Sequence, residues 1–594
     1  MPGKSRPLQQ QPFRYYLRAH PRVFLLGVIA LFLTNLFDVL TPLGLKAGID
    51  ALEARDASRL AWAVGAYALM MVGVTVFRFC WRIFFGRFHH TVAEDLRNRI
   101  YDKLSELGAT YYNKTPVGQI ISLLSNDVNT FRMAIGPGLL LVLDAVFYSA
   151  MILPLMISLS WAWTWKTLIA LPLLPFLIRK MENLLHERSR HQQDRLGEMS
   201  GRAAEIVSGI RPIKSFAQEQ TQAQSFNQFS RRFEHACNLV AKADSAFHPA
   251  MQFAVTIGSV SLLWFCTADV VSGAITLGTF VAFHEYIKRM VWPMSAIGMG
   301  ISMIEQGRAS FDRIRELLDT PTDIPDTGIE TIKEFTRLEI RSLSFRYPGA
   351  NDEALQNLDL TINAGETIGL VGPVGAGKST LVSLLCRVYP AARDSIRVNG
   401  IDLADITRAS LSETIALVPQ DAFLFSRTIA ENVALGFAEF PGIEPVRDVA
   451  TTVNIDHEIQ SLPRNYDSPL GERGVNLSGG QKQRLTIARA LIRKTPVVIF
   501  DDSLSAVDGK TEQAIVAALK DRRARYPQQT VILVSHRLAT LKHADRIIVL
   551  DKGRIEAEGQ HQDLIRTCAT YQRLHQLQSE GLGQSATELT GANP

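Results

Sequence analysis

The sequence is poor in cysteine, with five in 594 residues. Cys80, Cys237, Cys266, Cys386 and Cys568 are scattered and none sits in a C-x-x-C pair, which argues against a disulfide framework and a zinc site. Net charge is also small: 63 Lys and Arg against 58 Asp and Glu leave +5. Much of that basic excess lies beside apolar segments, which fits a membrane face better than nucleic-acid binding. No convincing small-residue cleavage site follows the first apolar run, so the run reads as a retained helix rather than a removed leader.

Long apolar runs are what the sequence does have. The mean hydropathy of +0.06 averages two unlike halves. Six spans are expected: Val23–Leu45, Leu60–Phe79, Gly138–Ser158, Trp163–Ile178, Ala250–Val271 and Leu277–Ile304, each near the length that crosses a core of ~30 Å as a helix. Lys4, Arg6, Arg14, Arg18 and Arg22 precede the first span and place the N-terminus in the cytoplasm. An even number of spans returns the C-terminus to the same side. The long polar connections 80–137 and 179–249 then fall inside, rich in Lys and Arg. Glu94–Leu107 and Glu182–Val207 have helical periodicity with interspersed charge and read as membrane helices extended into the cytoplasm. Each connection has a break, at Tyr112–Gly118 and at Gly209–Ile213. Such a break is either a plain turn or a docking surface for the soluble half.

Ionisable groups inside spans are costly, so each asks for a partner or a cavity. Asp38, Arg78, Arg82, Asp144, His284, Glu285, Lys288 and Arg289 are of this kind. Two readings are open for them: a polar, water-filled path, or helix–helix pairing and snorkelling. Phe77, Trp81, Phe147, Trp264 and Trp292 either line an apolar cavity or face lipid and packing neighbours.

The organisation expected is a transmembrane domain over 1–319, a linker over 320–335, an α/β domain over 336–578, and a small, polar, disordered tail over 579–594. Within the α/β domain, Ile368-Gly369-Leu370-Val371 reads as a strand and Leu381–Leu385 as a helix. Between them Gly372-Pro373-Val374-Gly375-Ala376-Gly377-Lys378-Ser379-Thr380 reads G-x-x-x-x-G-K-S, a phosphate-binding loop in the strand–loop–helix context that makes the motif credible. The glycines turn backbone N–H groups toward a phosphate and the helix N-terminus adds its positive dipole end. Lys378 offers a charge for the outer phosphates and Ser379 a hydroxyl for magnesium. Ala416–Pro419 is a strand ending at Gln420, whose amide suits a metal or water beside the phosphates. Asn476–Gln481 opens a helix and offers a second anion site through its N-terminus. Val497–Phe500 is a buried strand ending at Asp501 and Asp502, where a carboxylate can hold magnesium. Ser505-Ala506-Val507-Asp508 follows, and the strand Val531–Ser535 ends at His536, which can contact a terminal phosphate. Tyr347 either stacks on a base or packs at a strand end.

As an ordered set, these motifs resemble the ATP-binding cassette exporter half-transporters, over about residues 15–575. That resemblance implies a multidomain chain: an all-α polytopic membrane domain of six helices, then an α/β P-loop nucleotide-binding domain. It implies ATP and Mg²⁺ as cofactors. Tyr347 would stack on adenine, and Gly372 to Thr380 would cradle the phosphates. Ser379, Gln420 and Asp501 would hold magnesium, and His536 would sense the γ-phosphate. Ser478, Gly479, Gly480 and Gln481 would contact ATP held by a second nucleotide domain, and the two breaks would sit at coupling helices. One phosphate loop and one L-S-G-G-Q cannot complete a site alone, so dimerisation is implied. In the family a glutamate, the general base, follows the Asp501 position; here it is Asp502, one methylene shorter. A misplacement of ~1 Å can cost on the order of 10²-fold in rate. The expectation is the weak-hydrolysis subunit of a heterodimeric exporter in the inner membrane. A slow homodimer and an ATP-gated regulatory subunit are the alternatives. Membrane lipid and a hydrophobic small molecule, lipid or peptide are the expected partners, and nucleic acid is not. A soluble chromosome- or repair-type ATPase is argued against by the spans.

Overall fold

Apolar runs this long bury no polar backbone only if they are helical, because helices satisfy their own N–H and C=O groups. The computed structural model describes residues 11–168, 173–471, 474–505 and 507–578. It divides into a membrane unit, Met1–Ser105 with Val117–Thr320, and a second unit, Glu106–Pro116 with Pro321–Pro594. Lys4, Arg6, Ala506 and the expected tail lie outside the described residues.

The membrane unit opens with a short amphipathic helix, α1 (Pro12–Ala19), whose buried Tyr16 donates its hydroxyl to Asp95 at 2.8 Å. There follow α2 (Pro21–Glu53) and α3 (Ala57–Glu106). Helix α4 (Ala109–Lys114) belongs to the second unit, and α5 (Val117–Leu159) returns to the first. Then come α6 (Trp161–Leu168), α7 (Leu173–Ser208), α8 (Ile210–Ser215), α9 (Glu219–Val271) and α10 (Leu277–Asp319). Among the described residues, three helices are long and apolar enough to cross a membrane: α2, α3 and α5. The end of α9, Val255–Val271, is a shorter apolar stretch. The expected fourth span runs into residues 169–172, outside the described set. The expected sixth lies on α10, one continuous helix whose apolar run is interrupted by Glu285, Lys288 and Arg289. The two segments expected as helical extensions are helical, over residues 94–106 within α3 and 182–207 within α7, the first ending one residue short of the expected Leu107.

Two single π-helical turns, Leu123–Asp127 and Ala134–Gly138, interrupt α5. The first carries the buried Asp127, which is paired with Arg313 of α10 (Nε–Oδ1 3.1 Å). Deeper in the unit, Asp38 of α2 pairs with Arg289 of α10 at 3.2 Å and accepts the Tyr148 hydroxyl of α5 at 2.5 Å. A lone Asp or Arg at a bilayer centre costs about 2.5–3.5 kcal/mol on insertion scales, so pairing decides whether these two helices tolerate their charges. Contact of α10 with α5 is equally close at Gly307, where an added Cβ would stand 2.1 Å from the Cβ of Ala134. Overpacking of that kind typically costs about 1–3 kcal/mol. Gly307→Leu should therefore lower the thermal unfolding midpoint in detergent, while substitution at Gly65, whose Cβ position meets nothing within 4 Å, leaves it unchanged.

The second unit is built on two sheets. An antiparallel sheet, in the order β2-β1-β4-β5, joins β1 (Arg337–Phe345), β2 (Leu355–Asn363), β4 (Ile396–Val398) and β5 (Ile401–Asp402). The larger sheet has the order β10-β9-β3-β8-β7-β6. Its members are β3 (Thr367–Val371), β6 (Ile415–Val418), β7 (Val497–Asp501), β8 (Thr530–Val534), β9 (Arg546–Asp551) and β10 (Arg554–Gly559). All but β10 pair in parallel. The central strands read T-I-G-L-V, V-V-I-F-D and T-V-I-L-V because a parallel sheet is covered on both faces and has no wet side to alternate toward.

Candidate nucleotide site

Parallel strands deliver their following residues to one edge, and the crevice at that edge is where such sheets bind ligands. Here β3 runs into the glycine loop, β6 into Pro419 and Gln420, β7 into Asp501 and Asp502, and β8 into Ser535 and His536. The loop from Val374 to Thr380, Gln420, Asp501, Asp502 and His536 line, with Tyr347, a cavity of about 630 Å³.

The loop's shape follows from its glycines. Gly375 and Gly377 have φ of +82° and +99°, the left-handed region that costs a side chain energy. Gly377 also has no room, since an added Cβ would stand 2.6 Å from Leu355 and 2.8 Å from the Ala354 carbonyl. It caps helix α11 (Lys378–Leu385), so the helix N-terminus opens into the cavity. Val374 forms the fully exposed tip and Ala376 is buried beneath it. The Lys378 ammonium donates to the carbonyls of Gly372 at 2.7 Å and Pro373 at 2.9 Å. Burial pushes it below the ordinary lysine value, while Asp502 and Asp501 pull it back up. A charged phosphate oxygen is a stronger partner than these neutral carbonyls.

Ser379 Oγ donates to Asp501 Oδ1 at 3.3 Å. Burial raises the Asp501 carboxyl above the ordinary range, Ser379 donation opposes that, and Asp502 adds to it. A hydroxyl, a carboxylate and the Gln420 amide are hard oxygen donors of the kind Mg²⁺ takes. Among the described residues there is no cluster of three or more His, Cys, Asp or Glu that would hold a metal by itself. Magnesium would fit here with phosphate and water oxygens completing its shell. Asp502 has a φ of +45° and its carboxylate meets His536 Nδ1 at 2.8 Å. A non-glycine residue held in that region is the sort of local strain that collects at functional sites.

The L-S-G-G-Q turn does not line this cavity. Ser478 caps helix α12 (Gly479–Leu491) in a capping box, in which Gln481 Oε1 accepts from the Ser478 N–H at 2.9 Å. Gln481 also donates to Glu458 at 2.7 Å, so its side chain works inside the turn rather than reaching outward. A Cβ added at Gly479 would meet nothing within 4 Å, and the turn thus presents open backbone. Further along α12, the buried Gln483 donates to the Pro419 carbonyl at 3.2 Å and ties this helix to the loop of Gln420.

Residues 24–294 match the family "ABC transporter transmembrane region" and residues 355–505 match the family "ABC transporter". The chain is 31% identical to the "Probable multidrug resistance ABC transporter ATP-binding/permease protein YheI" of Bacillus subtilis (strain 168), over 95% of this chain and 96% of that protein. It is 32% identical to "Multidrug resistance-like ATP-binding protein MdlA" of Escherichia coli (strain K12), over 95% of each. It belongs to the ABC transporter family. This half-transporter is also similar in structure to a bacterial Atm1-family ABC exporter with ATP bound: TM-score 0.75, 26% identity, covering 94% of this chain and 99% of that one. It is an ATPase coupled to transport, in a multi-pass membrane protein.

Two parts of the transporter's nucleotide unit escape motif reading. Tyr389 follows α11 and meets Tyr347 edge-on, with ring centroids 5.2 Å apart. The Tyr347 hydroxyl reaches Thr380 Oγ1 at 3.0 Å. Tyr389 in turn accepts from Asn113 Nδ2 at 2.6 Å, and Ala109 packs against the same core. The first chain break, as far as Pro116, thus clusters with the nucleotide unit although it follows a membrane helix in sequence. The second break, at α8, clusters with the membrane unit. No single-sequence signal marks Tyr389. Gln578 is the other: its Oε1 accepts from the Leu538 N–H at 3.0 Å and its amide donates to the His536 carbonyl, bracing the histidine from the far end of the chain.

Replacing Lys378 by Ala should weaken ATP binding by at least about tenfold, the equivalent of one lost charged hydrogen bond. Equilibrium binding of a fluorescent ATP analogue to the detergent-purified protein measures it.

Proposed function

We propose that this chain is one half of a two-chain, ATP-driven exporter of hydrophobic or amphipathic molecules, and its weak-hydrolysis half. The observation that carries the pairing is the L-S-G-G-Q turn, open at the surface and outside the chain's own nucleotide cavity. A second chain's turn is what would close this cavity, and this chain's turn would close the partner's. The second break, clustered with the membrane unit, is free in the same sense to dock on the partner.

Within that reading, Tyr347 stacks on adenine, Gly372 to Thr380 cradle the phosphates, and His536 contacts the terminal phosphate. Ser379, Gln420 and Asp501 are the residues that would hold Mg²⁺, which would supply positive charge to offset that developing on the phosphates. Asp502 is the base that must reach the attacking water. Its short side chain, already engaged by His536, supports slow turnover at this site, since a general base works only within hydrogen-bond reach of its proton. The resulting assignment is a heterodimer in which the partner supplies a longer carboxylate. Arg14, Arg18 and Arg22 before the first span support a cytoplasmic N-terminus. The cargo class draws on relatives named as multidrug resistance proteins and on an "ATP-dependent lipid A-core flippase" of Thiobacillus denitrificans, 30% identical over 95% of this chain.

Asp502→Glu should raise the ATPase rate of the reconstituted protein by about tenfold or more, toward the 10²-fold that ~1 Å of reach is worth. Unchanged turnover in a variant that still binds ATP would sink the reach account. Purification from the native membrane should bring a different half-transporter with the chain; a pair of identical chains would overturn the heterodimer and leave the slow homodimer.

A further inference from the structure

Several acids of the membrane unit are matched by a cation. Asp38 has Arg289 at 3.2 Å, Asp50 has Lys46 at 2.7 Å, and Glu285 has Lys288 at 2.9 Å. Asp127 has Arg313. Asp144, inside the apolar run of α5, differs. Its carboxylate accepts from Asn35 Nδ2 of α2 at 2.9 Å and from Trp292 Nε1 of α10 at 3.3 Å. Both donors are neutral, and among the described residues no Lys or Arg forms an ion pair with it. Two hydrogen bonds orient the carboxylate without bringing it a counter-charge.

Aromatic side chains lie on the neighbouring helical turns. Phe147 lies one helical turn beyond Asp144 on α5, and Phe32 one turn before Asn35 on α2, so each shares a face with its polar neighbour. The two rings meet edge to face with centroids 5.8 Å apart. Phe32 is 42% exposed and Trp292 52%, so the patch is open at the surface of the unit. A lone carboxylate turned toward lipid is the costly arrangement, and intramembrane acids face water or a counter-charge instead. Aromatic faces attract cations through the ring quadrupole, most strongly when desolvated. A carboxylate among three rings selects for a molecule that is both apolar and positive, and against an anion of the same shape.

We propose that Asp144, Trp292, Phe32 and Phe147 form a binding site for a lipophilic organic cation. The site rests on the exporter reading for its purpose, though not for its chemistry. The probe is tetraphenylphosphonium, with tetraphenylborate as its oppositely charged near-isostere, bound at equilibrium to the full-length protein in lipid nanodiscs without ATP. The wild-type protein should bind the cation and discriminate against the anion. Asp144→Asn should weaken cation binding by about tenfold or more, and Asp144→Glu should retain it. Equal binding of the two probes by the wild-type protein overturns the site, whether or not the Asn variant folds. So does unchanged cation binding in Asp144→Asn, the result expected if a cation of the second chain occupies Asp144 in the assembled dimer. Vectorial ATP-driven uptake in vesicles is read separately. Binding without uptake counts against the exporter reading alone, and uptake indifferent to Asp144→Asn counts against the site alone.

Discussion

The nucleotide unit depends on one geometric constraint: its parallel strands must end on the same edge. Four residues or segments with different chemistry, the glycine loop, Gln420, the Asp501–Asp502 pair and His536, come from positions up to 164 residues apart (372 to 536). None packs against another because of its local sequence. They meet because β3, β6, β7 and β8 hydrogen-bond in parallel, with register pairs such as Gly369 with Leu533 and Val418 with Phe500. A one-residue slip would turn every following side chain to the other face. The apolar strands thus do more than supply a core. They set the aim of each polar group that follows them.

The same constraint explains why the unit is incomplete. The L-S-G-G-Q turn begins α12 and does not follow a strand of this sheet, so nothing brings it to the strand-end cavity. Its residues are satisfied locally instead: Ser478 and Gln481 cap one another, and Gln481 and Arg484 both hold Glu458. A turn already closed on itself through side chains is left with backbone and glycine to offer outward. That is suited to a phosphate on another surface. Meanwhile Gln483 links the same helix to the carbonyl beside Gln420. A shift of the turn is thereby mechanically connected to a residue in the chain's own cavity.

What was legible in the sequence was local. The phosphate loop, the capping serine and the buried strands are each written within a dozen residues, through glycine placement, a cap signal and an apolar run. The cavity residues could be named because their spacing matches a family pattern. Less legible were contacts made across the chain. Asn113 meets Tyr389 from 276 residues away, and no periodicity or spacing marks either as a partner of the other. Taken by itself, the break around Tyr112–Gly118 reads as a plain turn, and nothing local in it points to Tyr389. The π-helical turns that aim Asp127 at Arg313 also leave no mark in the sequence, since they differ from α-helix by one residue per turn in a run that is helical throughout. Span counting is limited for a related reason: composition finds α2, α3 and α5, whereas α10 carries its own charges inside its apolar stretch.

Those charges show how far composition misleads inside a membrane. Asp38 and Asp144 look alike in sequence, each a lone acid in an apolar run. In the fold they part. Asp38 lies against Arg289, 251 residues away, and becomes half of a neutral pair that fastens α2 to α10. Asp144 is fastened to the same two helices by Asn35 and Trp292, through neutral donors. Both contacts join helices, but only the first brings a counter-charge to the acid. Among the described residues, the three helices that hold Asp144 orient its carboxylate but supply no ion-pair partner for it.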